Sequence, residues 1–182
     1  MPAFFPHLAA AFADYRARYP EEGEVVADFE SFLASDAAVF ERRHQVGHFT
    51  GSAWLVSADS ERVLLTHHRK LGRWLQLGGH ADGDTDLARV ALREADEESG
   101  LPGLTVDAEI FDLDAHRIPP RGDEPEHWHY DVRHVVHATI SEDFVVGAES
   151  LALAWRPISD LALDDPDASM QRMARKWMNR PR

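Results

Sequence analysis

The sequence predicts an α/β fold, a mixed sheet with helices on both faces, preceded by a helical extension. Strand-like segments lie on both sides of one strongly amphipathic helix and a second such helix closes the chain, an order that suits a two-faced mixed sheet. A glycine pair, Gly78-Gly79, joins a strand-like run to the first of those helices. The 182 residues suffice for one core and require no second. A single domain over 1–182 is therefore expected, with a helical extension at 1–45 and the α/β core at 46–182.

Each element has a local reason. Leu8 to Arg18 and Val25 to Phe40 are rich in Ala, Phe, Leu and Val at helical spacing, and Pro20-Glu21-Glu22-Gly23 separates them. Phe49 to Val56 alternates as a strand does, with Arg62 to Thr66 as its hairpin partner across Ser57 to Glu61. Leu71 to Leu77 is a strand that leads into the glycine pair. Thr85 is placed to cap the next helix, with Asp86 in its first turn. Leu104 to Leu113 and Tyr130 to Ile140 read as strands, and Ala152 to Pro157 as a shorter one. Asp167 to Met178 closes the chain as a helix with Met170, Met173, Ala174 and Trp177 at core spacing.

The central helix carries the chemistry. On a wheel of about 100° per residue, Leu87, Val90 and Ala91 share one face; Glu94 and Glu98 fall on that same face, with Glu97 at its edge. Arg89, Arg93 and Asp96 lie opposite, where a solvated charged face is expected. Carboxylates on a core stripe repel one another and lose hydration, so the helix end either reaches a cleft or is compensated by cations. Spacing at i, i+3 and i+4 brings all three glutamates within reach of hard divalent ions such as Mg²⁺.

The stretch from Gly79 to Leu101 resembles the signature box of the Nudix hydrolases. Gly79, Arg93, Glu94, Ala95, Glu97, Glu98, Gly100 and Leu101 occupy typed positions of that box, and Thr85, flanked by Asp84 and Asp86, stands where the family has an early glutamate. The resemblance implies an α/β/α sandwich, with Gly79, Arg93 and Gly100 as structural box residues. It also implies Mg²⁺ or Mn²⁺ held by Glu94, Glu97, Glu98 and the Gly78 carbonyl. The implied reaction is hydrolysis of a diphosphate bond in a nucleoside diphosphate derivative or related organic pyrophosphate. Glu97, Glu98 and Glu149 are the candidates for general base. In the family the early glutamate is chiefly a partner for the box arginine, so Thr85 leaves that salt bridge open, with Asp84 or Asp86 as substitutes. An alternative is a catalytically weak ligand-binding or sensor protein, which Thr85 favours and the retained glutamates oppose. Isomerases of this fold use a catalytic cysteine, and this chain has none.

Composition narrows the partners. A formal charge of −13 opposes binding along a nucleic-acid duplex. Small phosphorylated substrates remain accessible through a metal. The absence of cysteine suits a reducing cytoplasm, and no apolar run is long enough to cross a bilayer, so a cytoplasmic protein is expected. The N-terminal helices are expected either to pack as a pair on one edge of the sheet or to offer a surface for a homodimer.

A second polar constellation spans His116-Arg117 and His127 to His134. In a strand, His127, His129, Asp131 and Arg133 share one face. These residues are open to three readings: a solvated strand face, a transition-metal site built on two histidines and an aspartate, or recognition of phosphate or sugar. For substrate contact the candidates are His80, inside the box loop, with Arg117, His129, Asp131 and Arg133. His67, His68, Arg69 and Lys70 form a basic turn ahead of the glycine loop.

Overall fold

The computed structural model describes residues 5–69, 71–122, 124–147 and 150–180. Helices α1 (Pro6–Arg18) and α2 (Gly23–Ser35) come first, followed by β1 (Gly47–Val56), β2 (Arg62–His68), β3 (Trp74–Leu75) and β4 (Leu77–His80). Helix α3 (Leu87–Ser99) leads to β5 (Thr105–Ile118), β6 (His127–His137), β7 (Ser150–Pro157), α4 (Ile158–Asp164) and α5 (Ala168–Met178). Together they form a mixed α/β fold flanked by helices on both faces of the sheet.

Strand β1 is the centre of the sheet. It runs parallel to β6 along its whole length, pairing Gly47 with Trp128 through Val56 with His137. Its other edge is shared: β4 takes Thr50 to Ala53 in antiparallel register, and β2 takes Val56. β5 extends the sheet beyond β6, while β7 and β3 pair with β2.

Side-chain alternation divides the core in two. Phe49, Ala53 and Leu55 of β1 face α1, α2 and α3, packing with Phe29, Phe32, Val90, Ala91 and Ala95. The intervening residues Trp54 and Val56 face α4 and α5, packing with Leu161, Met170 and Met173. This second face changes character halfway along β1. His48, Thr50 and Ser52 point the same way as Trp54, yet they are polar and buried.

Several boundaries differ from the sequence expectation. Helix α2 ends at Ser35, not Phe40, because Asp36 is extended (φ −154°, ψ 153°) and its carboxylate accepts the Ala38 N–H at 2.8 Å, a local bond that competes with the helix. The single strand expected over Leu71 to Leu77 is two, since the chain changes partner from β2 to β1 around Gln76, and β4 continues through both glycines. β6 begins at His127, three residues early, and stops at His137. Helix α4 was not anticipated from sequence; Ile158, Leu161 and Ala162 form its short buried stripe.

The polar half of the second face is held by ion pairs. Arg133 is buried and bonds Asp131 through Nε at 2.8 Å and Asp112 through Nη1 at 3.0 Å, with Asp114 at 3.4 Å. From α5, Arg172 and Lys176 also reach Asp112, at 2.8 and 2.7 Å. Burial alone would push the Asp112 carboxyl up, but the Arg172 hydrogen bond and the Arg133 and Lys176 charges outweigh it and hold it low.

Asp112→Ala should therefore cost about 1–3 kcal/mol, because it removes one shared carboxylate from three cations that each keep another partner. Urea unfolding measures it, and a loss under about 0.5 kcal/mol would contradict the assignment. Because the folded-state value lies below the unfolded one, near 3.9, this stabilisation is complete above about pH 4 and is lost as pH falls through the folded value. Wild-type stability should drop steeply on that acid limb, and the variant's limb should be shallower.

Candidate active site

The glycine loop and α3 form one clamp. Asp86, not Thr85, caps the helix, its carboxylate accepting the Arg89 N–H at 3.1 Å. Thr85 instead offers its backbone carbonyl to the His7 ring at 3.1 Å. Asp84 does close a salt bridge onto the helix, but with Arg89, through Nε at 2.7 Å and Nη2 at 2.5 Å. Arg93 uses Nη2 to hold the His80 carbonyl at 2.9 Å and the Glu94 carboxylate at 2.8 Å. It is half-buried rather than part of a solvated face, because it folds back over the loop. Gly100, at φ 64°, ends the helix in the left-handed conformation that a side chain disfavours, with its N–H on the Asp96 carbonyl.

Burial along α3 follows the wheel. Glu94 and Glu98 are half-buried, whereas Asp96 and Glu97 are exposed. Burial raises the Glu94 carboxyl above its ordinary value; Arg93 opposes this, and the Glu97 and Asp82 charges add to it. Glu98 accepts the Gly78 N–H at 2.9 Å. Gly79 lies so close to α3 that a Cβ there would stand 2.4–2.8 Å from the Glu94 carboxyl group. An all-oxygen donor set with mutually repelling carboxylates fits a hard divalent cation.

The histidine constellation is larger than β6 alone. His129 is ringed by His48 at 4.8 Å, His80 at 5.2 Å, His127 at 5.2 Å and His116 at 5.6 Å between centroids. The β1–β4 and β1–β6 registers, Thr50 with His80 and His48 with His129, bring these rings together. Burial first, and then the neighbouring rings of His80 and His127, push His48 down to about 4. Burial and the other four rings push His129 down to about 2.

The other substrate-contact candidates fall elsewhere. Asp131 does not join the histidines as a ligand, because Thr50, Ser52 and Arg133 bond its carboxylate at 2.7–2.9 Å and enclose it. Arg133 is sealed among three aspartates and is a scaffold residue, not a surface cation. Arg117 projects from the opposite sheet face, paired with Glu126 and stacked over Trp128. In the basic turn, His67 stacks on Trp74 and Arg69 reaches the Ser150 carbonyl. Glu149 and Lys70 lie outside the described residues. His48 escaped the sequence reading; its signal is the run of polar residues at alternate positions 48, 50 and 52 in an otherwise apolar strand.

The NUDIX domain profile matches residues 48–178, spanning both the glycine loop and the acidic helix, and the chain belongs to that family of hydrolases. Solved structures agree in fold. A NUDIX-family hydrolase from Clostridium perfringens superposes with a TM-score of 0.54 at 21% identity, covering 72% of this chain and 96% of its own. An Ap4A hydrolase from C. elegans gives 0.53 at 16%, covering 71% and 94%. The E. coli dihydroneopterin triphosphate pyrophosphohydrolase gives 0.55 at 15%, covering 70% and 92%. No match was found among curated proteins. Nudix enzymes generally work with divalent metals.

The two glycines should respond differently to alanine. At Gly79 the obstructing group is the flexible end of Glu94, so Gly79→Ala should fold with its melting temperature nearly unchanged while moving that carboxylate and lowering catalysis at least about tenfold. At Gly78 the obstruction includes the Ser52 Cα at 2.8 Å, so Gly78→Ala should lose stability. Calorimetry and steady-state kinetics on both variants test this; equal effects would contradict it.

Proposed function

We propose that the chain hydrolyses a diphosphate linkage in a nucleoside diphosphate derivative or related organic pyrophosphate, using Mg²⁺ or Mn²⁺. The observation that supports this is the pair of half-buried carboxylates, Glu94 and Glu98, packed against the Gly78-Gly79 backbone. Glu94, Glu97, Glu98 and the Gly78 carbonyl would hold the metal, which when bound neutralises phosphate oxygens and acidifies a water.

The protein's own residues prepare that site. Burial and like charge destabilise the Glu94 carboxylate in the absence of a cation, so binding one competes with a proton for the same oxygens. Arg93 fixes the Glu94 carboxylate and ties the loop to the helix through the His80 carbonyl. Glu97 is exposed and open to water, while Glu98 is oriented by the Gly78 N–H; these two and Glu149 are the candidates for taking the proton from the attacking water. Two of the structural relatives, named for Ap4A and dihydroneopterin triphosphate, are hydrolases of phosphoanhydrides, consistent with this substrate class.

A panel of nucleoside diphosphate derivatives assayed with Mg²⁺ and with Mn²⁺ tests the reading. Glu98→Gln should lower turnover of any active substrate by roughly 100-fold or more, with its unfolding temperature within a few degrees of wild type. Full activity in that variant, or no hydrolysis of any panel member by wild type, would overturn the proposal.

A further inference from the structure

We propose that His48, His80 and His129 form a transition-metal site of the zinc class, separate from the carboxylate site on α3. One ring nitrogen from each of these residues lies within 4.8 Å of the others. Ligands of one tetrahedral zinc ion stand roughly 3.3 Å apart, given zinc–nitrogen bonds of about 2.0–2.1 Å, so small side-chain rotations close the set.

His48 supplies an independent reason. It is 2% exposed, and neither Nδ1 nor Nε2 has a hydrogen-bond partner among the described residues. The His44 backbone carbonyl influences the ring without reaching hydrogen-bond geometry. A buried imidazole with both nitrogens unsatisfied carries a desolvation penalty that a packed apolar residue would avoid. Its ring is stacked among those of His80, His127 and His129, at 4.8–5.0 Å, so its nitrogens are orphaned within a cluster of potential ligands.

His127 stands beside this set, outside the three whose nitrogens lie within 4.8 Å of one another. Its Nδ1 lies 2.9 Å from the Pro125 carbonyl, which only accepts, so Nδ1 carries the proton and Nε2 presents a lone pair. That Nε2 stands 3.3 Å from the His129 Nε2, the separation of two ligands on one tetrahedral ion. Imidazole favours zinc, copper, nickel and iron over magnesium, so the two sites differ in donor chemistry.

The experiment uses the full chain, stripped with chelator and titrated with Zn²⁺ and Co²⁺ in millimolar Mg²⁺. Wild type and Glu98→Gln should each bind one equivalent, with X-ray absorption showing imidazole coordination. His129→Gln and His80→Gln, checked for folding by circular dichroism, should bind at least about 30-fold more weakly. His48→Leu should lose binding yet unfold, metal-free, at a temperature no lower than metal-free wild type, because it removes an unsatisfied buried polar group. Binding by wild type that survives unchanged in all three histidine variants would overturn the proposal. So would binding lost in Glu98→Gln but kept in His129→Gln, or no stoichiometric binding by wild type.

Discussion

The site depends on how closely α3 lies against the sheet. A side chain at Gly51 would stand 2.8–2.9 Å from Val90 and the Leu87 carbonyl, and one at Gly79 would collide with Glu94. Glycine at both places lets the helix seat on β1 and β4 with Val90, Ala91 and Ala95 wholly buried beneath it. The same seating brings the Glu98 carboxylate to the Gly78 N–H and lets Arg93 span from helix to loop. Packing and chemistry are thus set by one contact.

The opposite face solves another problem. Its polar half cannot be covered by apolar helices without stranding charges, and burying ions is tolerable only when they are paired. Asp112, Asp114 and Asp131 meet Arg133, Arg172 and Lys176 there, drawn from β5, β6 and α5. Lys176 also bonds Glu22 at 2.7 Å, tying the N-terminal helical segment to α5. The extension is therefore fastened to the core by charge as well as by the aromatic packing of Phe12, Phe29 and Phe32.

Much of this was legible in the sequence because it rests on local periodicity. The strand β1, the helices α1 and α5, and the split between Glu94 or Glu98 and Asp96 follow from spacing alone. What escaped depends on pairing between distant segments. Nothing near His48 reveals that β1 runs parallel to β6, yet that register sets it beside His129. In the sequence Asp131 and Arg133 are substrate-contact candidates on a strand face, and only the neighbouring Thr50, Ser52 and Asp112 show that they face inward. Thr85 looked like the helix cap by residue type, but Asp86, one position later, had the geometry to take the Arg89 N–H.

His80 links the two halves of the protein. It pairs with Thr50 in the sheet, so its ring joins the histidines on the face that holds Ser52 and Asp131, while Gly79 beside it turns toward Glu94 on the other. Its carbonyl is the atom that Arg93 grips, and Arg93 in turn orients the Glu94 carboxylate. One residue thus contributes a ring to the histidine cluster on one side of the sheet and, through its carbonyl, the anchor by which Arg93 holds the Glu94 carboxylate on the other.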